Sequence, residues 1–201
     1  MEPKPTRELF EQLVGEIADH PERRSELEQK ILHIFSRRVA ILALDMCGFS
    51  RTTRAHGIVA FLVMIHEMQQ LCAPAVASRG GIHVKAEADN LFCLFDSVAA
   101  ALAAALDIHA RCAAANASRP PERALHAAIG IGFGDTLYIG EEDLHGDEMN
   151  VACKLGEDLA ERGEVLLTSA AYESLPQGSV NAARRSVSIS GLTLDYFHVQ
   201  P

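Results

Sequence analysis

Basic residues are scarce in this chain. Lys and Arg number 18 against 27 Asp and Glu, a formal net charge of −9. A general binder of nucleic acid or of an anionic membrane surface needs the opposite excess, so no nucleic-acid partner is expected. One anionic ligand held by a few local cations, or by metal ions on carboxylates, stays compatible with this balance. CxxC pairs are also absent. The five cysteines (Cys47, Cys72, Cys93, Cys112 and Cys153) are odd in number, and four sit in apolar company, which reads as reduced core thiols. The nine histidines include no HExxH or similar ligand spacing, which counts against a zinc site. Uninterrupted apolar runs stay short of the ~20 residues that cross a bilayer. The longest, Val98 to Leu106, stops at Asp107, and Phe61 to Met64 is soon followed by His66 and Glu67. The start, Met1-Glu2-Pro3-Lys4-Pro5, lacks the basic-then-apolar pattern of a signal peptide. Together these absences imply a cytoplasmic protein without membrane insertion.

What is present is an ordinary globular composition. The 201 residues are 48% apolar and 22% charged, enough for one domain with a substantial core. Residues 1–37 read as an N-terminal helical extension. Leu9, Phe10, Leu13, Val14 and Ile17 share one helical face, and Ser25-Glu26-Leu27-Glu28 is a capping-box pattern that opens a second helix. Two readings stay open for this pair: packing on the domain surface, or a dimerising or regulatory element.

The domain proper is expected over 38–201. Val39 to Leu44 is a strand buried on both faces, ending in Asp45. Met46 to Ser50 reads as a loop, and a long helix follows, with Ile58, Phe61, Leu62, Ile65, Met68 and Leu71 at helical spacing, which Pro74 should kink or end. Ile82–Glu87 and Leu91–Phe95 flank Ala88-Asp89-Asn90 as a hairpin. An Ala-rich helix capped by Asp96-Ser97 runs to about Asn116. Leu125–Phe133 and Thr136–Ile139 flank Gly134-Asp135 as a second hairpin. A helix over 147–160, a strand at 165–168, a short helix at 170–175 and two terminal strands meeting at Ser190-Gly191 complete the chain. Helices alternating with antiparallel hairpins predict an α+β fold, a ferredoxin-like βαββαβ-type sandwich with helices on a mainly antiparallel sheet.

Several residues could carry chemistry. Asp45 at a strand end and Asp89 at a hairpin tip suit a hard divalent ion completed by substrate phosphates, although each Asp alone reads better as a turn residue. Gly48 would let backbone N–H groups approach a phosphate. Asn150 and Lys154 lie four apart and share a helix face, with Asp143 and Gly146 upstream.

Together these pieces resemble the class III nucleotidyl cyclase catalytic domains, over roughly residues 38–175. Ala43-Leu44-Asp45-Met46-Cys47-Gly48-Phe49-Ser50 is similar to the family's strand–Asp–x–x–Gly–Phe–Ser motif. Lys85-Ala86-Glu87-Ala88-Asp89 resembles its Lys-x-x-Gly-Asp hairpin. Asp143 to Leu155 resembles Asp-x-x-Gly-x-x-Val-Asn-x-Ala-x-Arg-Leu. The resemblance implies that Asp45 and Asp89 bind two Mg²⁺ or Mn²⁺ ions. It also implies that Gly48 and Phe49 bind substrate, Lys85 and Asp143 read the base, Asn150 orients the ribose, and Lys154 takes the place of a transition-state arginine. It further implies a homodimer with composite active sites, the Asp pair from one chain and the base-reading and helix residues from the other. Lys offers only donors and ionised Asp only acceptors, a set that complements adenine and leaves guanine mispaired, so the expected partner is ATP. The expected reaction is adenylate cyclase chemistry, ATP to 3′,5′-cyclic AMP and pyrophosphate.

The chain departs from this pattern at three points. Lys154 stands for the arginine, a point charge for a planar fork. Ala88 stands for the glycine before Asp89. The family's phosphate-gripping lysine has no counterpart in Ser188 to Thr193, where Arg184 and Arg185 are the nearest cations. The alternative expectation is therefore a cyclase-like nucleotide-binding or dimerisation module with little turnover. A diguanylate cyclase is a weaker reading, since no GGDEF-like turn is present.

Overall fold

The apolar run at 39–44 lies inside β1, Ser36–Met46, where Val39 to Leu44 are all buried. The computed structural model describes residues 3–140, 142–189 and 192–200, without the side chains of residues 49–52, 189 and 192. β1 is central because both of its edges are paired and both of its faces covered. It runs antiparallel to β3 (Asn90–Phe95) on one side and to β4 (Ala127–Ile139) on the other. β2 (Ile82–Glu87) completes a hairpin with β3. Beyond β4 come β6 (Val165–Thr168), β8 (Leu192–Val199) and β7 (Ala182–Ile189), giving the order β2-β3-β1-β4-β6-β8-β7. The short β5 (Asp143–His145) folds back on β4. Only the β4–β6 pairing is parallel among these, so the sheet is mainly antiparallel, as expected.

Alternation along β1 divides the core in two. Ala40, Leu42 and Leu44 face α4 (Ile58–Ala77) and α5 (Val98–Asn116), meeting Phe61, Met64, Met68 and Cys72 of the first and Ala104, Ala105 and Ile108 of the second. Ser97 caps α5 by accepting a hydrogen bond from the Ala100 N–H at 3.2 Å. Ile41 and Ala43 face the other way, with Phe92, Leu94 and the Met149 and Ala152 side chains of α6 (Asp147–Cys153). Both α4 and α5 are long and apolar enough to cross a membrane by length and composition, which corrects the expectation that nothing here approaches that length. Here both pack on the sheet.

Four local expectations are corrected. Gly134-Asp135 makes no turn: β4 runs straight through, with Gly134 opposite Val39 and Asp135 opposite Arg38. Phe49 and Ser50, expected in a loop, open a separate helix, α3 (Phe49–His56), parted by Gly57 at φ +81° from the expected long helix, which is α4 and continues past Pro74 to Ala77. Ser25 caps nothing, because α2 (Arg24–Phe35) begins one residue earlier. The helix from Asp147 changes to a π-helical turn over Lys154–Leu159, closed by the Ala160 N–H donating to Leu155 O at 2.7 Å.

The glycines of β4 serve packing. Gly130, Gly132 and Gly134 alternate on the face under α6, where no side chain fits. A Cβ on Gly130 would stand 2.1 Å from the Ala152 carbonyl oxygen, and one on Gly132 would stand 2.7 Å from the Glu148 carbonyl. Gly156, in the π turn, approaches β1 equally closely, with a Cβ position 2.7 Å from Ala43 O. Glu148 fastens the same helix, its Oε2 accepting from the Phe133 N–H at 3.1 Å and from Thr168 Oγ1 at 2.7 Å. Gly130→Ala is expected to destabilise the protein by about 3 kcal/mol, because backbone and not a flexible side chain blocks the added methyl. Urea unfolding measures it, and an unchanged midpoint would refute the close-packing account.

The N-terminal helices α1 (Arg7–Asp19) and α2 lie against the far end of β4. Leu13, Leu27, Ile31 and Phe35 form one cluster with Ile139, and Phe10 meets Phe35 edge-on at 5.3 Å. α2 ends at Phe35 and β1 starts at Ser36, with no linker between them.

Candidate active site

β1 delivers Asp45 at its C-terminal end, opposite Asn90 on one neighbour and Ala128 on the other. The β2–β3 hairpin tip folds onto this point, with the Met46 N–H donating to the Asp89 carbonyl at 3.1 Å. Ala88, the first residue of that tip, has φ +52°. This left-handed conformation costs an alanine roughly 1 kcal/mol and a glycine nothing, so the departure at Ala88 strains the turn without opening it. Asp45 is half-buried, and its carboxyl is pushed up to about 6 by that burial and by the charges of Asp89, Glu157 and Asp158. Every charge named there is negative. The buried Oδ1 of Asn90, directly across from Asp45, has no hydrogen-bond partner.

This donor set fits a divalent ion of the open kind. Two carboxylates stand close enough to repel, and all the atoms offered are hard oxygens. Among the described residues no three His, Cys, Asp or Glu side chains cluster as a closed metal cage, so remaining ligands have to come from substrate or water. Gly48 lies just beyond, at φ +105°, and precedes the N-terminus of α3, a favourable place for a phosphate. The side chain of Phe49 lies outside the described residues.

Lys85 and Asp143 meet directly. Lys85 Nζ is 2.9 Å from Asp143 Oδ1 and 3.0 Å from Glu87 Oε1, and sits 5.4 Å over the Phe92 ring. A bulge makes this possible. The β2–β3 register slips between His83 and Lys85, so Lys85 faces Phe92 and not Leu91, which turns it to the α6 side of the sheet. Partial burial alone would pull Lys85 down, but its bonds to Asp143 and Glu87 hold it above its ordinary value. Burial would likewise raise Asp143, and is outweighed by the Lys85 bond, the Leu144 N–H and the Lys85 and His145 charges, leaving it below the usual carboxylate range. The pair is therefore charged at neutral pH.

α6 exposes Asn150, and one turn on Lys154 Nζ pairs with Asp158 Oδ2 at 2.5 Å. Glu157 and Asp158 went unnoticed in the sequence, although they follow Lys154 by three and four residues. They bring acid to the Asp45 side, and Glu157 is itself raised by burial and by Asp158, Asp89 and Glu87. Arg162, also missed, lies near enough to act on Cys47 and His126. Arg184 and Arg185 belong to β7 at the far sheet edge, paired with Asp195 and Glu164, so within one chain they supply no cation here. Residues 190 and 191, the expected meeting point of the terminal strands and the middle of the Ser188–Thr193 stretch that lacks the phosphate lysine, lie outside the described residues.

The chain is 30% identical over 137 residues to "Putative adenylate cyclase 3" of Rhizobium meliloti (strain 1021). That match covers 68% of this chain and 23% of the relative, so the chain spans about a quarter of the curated relative's length. No family model matches it. Among solved structures it resembles an adenylate/guanylate cyclase/hydrolase from Silicibacter pomeroyi, at 26% identity and a TM-score of 0.71 over 83% of this chain and 98% of that one. The adenylyl cyclase CyaB from P. aeruginosa shares the fold at 17% identity and a TM-score of 0.66, over 83% and 96% of the two chains. With the three motifs, the sheet order and these likenesses in agreement, the chain has the fold of, and is similar in sequence to, the class III adenylate/guanylate cyclase catalytic domains.

Proposed function

We propose that this domain is an adenylate cyclase, converting ATP to 3′,5′-cyclic AMP and pyrophosphate. The Lys85–Asp143 pair carries the reading. Lys85 has three N–H donors, and Asp143 and Glu87 take two, leaving one for adenine N1. Asp143 commits Oδ1 to Lys85 and to the Leu144 N–H, leaving Oδ2 to accept from the exocyclic amine. One free donor and one free acceptor match adenine, whereas guanine would set donor against donor and acceptor against acceptor.

In the reaction the ribose 3′-hydroxyl gives up its proton to solvent, its oxygen bonds to the α-phosphorus, the bond from that phosphorus to the β-phosphate bridging oxygen breaks, and pyrophosphate leaves. Two Mg²⁺ or Mn²⁺ ions on Asp45 and Asp89 would lower the pKa of the hydroxyl and neutralise phosphate charge. Gly48 keeps the α3 N–H groups clear for the phosphates, Asn150 orients the ribose, and Lys154 offsets the charge that develops on the phosphoryl oxygens. The negative charges around Asp45 support a cation bound there, and the likeness to the family supports a site shared between two chains, with Lys154 and the base-reading pair contributed by the second. A homodimer would hold two such sites.

One observation favours the module with little turnover: Lys154 is a point charge already engaged by Asp158. Purified protein with Mn²⁺ and either ATP or GTP separates the readings. Cyclic AMP accumulating well above the protein-free rate, with GTP the poorer substrate, is expected. ATP binding without product would establish the module instead.

A further inference from the structure

The N-terminal helix reaches the carboxylate on which the proposed base recognition depends. Asp143 Oδ2, the oxygen left for the base, faces His145 Nε2 at 3.4 Å and Arg7 Nη2 at 3.8 Å. Arg7 lies in the first turn of α1, and its Nε donates to Glu142 Oε2 at 2.9 Å, which fixes the guanidinium. Two more contacts seat α1 on the same turn. The Gly140 N–H donates to Pro5 O at 2.7 Å. Gly140 adopts φ +59°, and a Cβ there would stand 3.1 Å from Arg7 N. The Phe10 ring stacks on His145, with centroids 6.4 Å apart and planes 10° from parallel. Thus α1 grips the β4–β5 turn at Gly140 on one side and at Glu142 to His145 on the other.

From this geometry we propose that Arg7 is a positioning residue for base recognition, its fixed charge holding the Asp143 carboxylate with Oδ2 presented to adenine. The inference rests on the reading that Lys85 and Asp143 recognise the base. At 3.8 Å Arg7 attracts Oδ2 without donating a hydrogen bond to it, so the oxygen stays oriented yet remains free to accept. Without Arg7, Asp143 can turn both oxygens toward Lys85 and close the acceptor position. The helical pair is then part of the selectivity of the site.

The test is equilibrium binding of ATPαS and of GTPαS to the full 201-residue chain with Mn²⁺ at low ionic strength. The variants are Arg7→Ala, Arg7→Lys, Asp143→Ala and the Arg7→Ala/Asp143→Ala double. Arg7→Ala is expected to weaken ATPαS roughly twofold to fivefold, the range of a partly exposed ion pair, and to leave GTPαS unchanged. Arg7→Lys should recover at least half of that loss, and the double variant should bind like Asp143→Ala alone. Wild-type binding by Arg7→Ala, equal weakening of both nucleotides, or additive losses in the double variant would overturn the inference while the base-reading pair stands. Wild-type binding by Asp143→Ala would overturn the base reading and this inference with it.

Discussion

Asp45→Ala is expected to lower cyclic AMP formation by more than about a hundredfold, measured as product from ATP with Mn²⁺. Loss of a group that merely supports a metal ligand costs ~10- to 100-fold, and in the proposed site Asp45 is a ligand. The same carboxylate burdens the protein when no cation is bound. Burial, then the charges of Asp89, Glu157 and Asp158, push it up to about 6. At pH 3 the group is protonated in folded and unfolded chains alike, and contributes nothing. As pH rises from about 4 to about 6, the unfolded chain releases this proton before the folded one does, so stability falls through that window. The penalty is complete above it. Asp45→Asn removes the charge, so in EDTA it should stabilise the protein by about 1 kcal/mol at pH 7.5 and by nothing at pH 3, the figure being reduced because the group is half exposed. Full cyclase activity in the alanine variant would sink the assignment of Asp45. An asparagine variant no more stable than wild type at pH 7.5 would sink the account of its field.

Lys154→Arg is expected to raise kcat at least tenfold with little change in KM. An arginine that stabilises phosphoryl transfer is worth ~10³–10⁵ in rate. Lysine keeps the charge and loses the two-pronged geometry, so part of that range is there to regain. The gain should fall on kcat because the interaction strengthens only as charge develops. Lys154 is also paired with Asp158 at 2.5 Å, and Asp158→Asn should give a smaller gain in the same direction by releasing the ammonium. An unchanged or lower rate in Lys154→Arg would mean that the position does not meet the phosphates, and would move weight to the binding-module reading. Steady-state kinetics over a range of ATP concentrations separates the two parameters.

Much of the fold was legible because the signals were local and strong. Val39–Leu44 could only be a strand covered on both sides, and the hairpin around Ala88-Asp89 stood out by alternation. What failed depended on partners far along the chain. Gly134-Asp135 has the chemistry of a turn, yet eleven consecutive residues of β1 pair with β4 and keep it straight. The bulge that brings Lys85 to Asp143 is a register slip, and β2 composition carries no trace of it. The pairing itself was anticipated by resemblance. Its partial burial, the acidic neighbours Glu157 and Asp158, and the grip of Arg7 were legible only in three dimensions. The alternate glycines at 130, 132 and 134 were visible all along: a strand face without side chains signals a close-lying helix.

That glycine face bears on how such a site could be switched. Where α6 and the π turn cross Gly130 and Gly132 of β4 and Ala43 of β1, backbone approaches backbone, and the helix cannot slide there without a clash. Asn150, Lys154 and Asp45 therefore belong to one stiff body. A signal could not tune this protein by shifting the helix over its own sheet. In a two-chain site the adjustable coordinate would be the angle between the subunits, so on and off states would share one monomer structure and differ in how two copies meet.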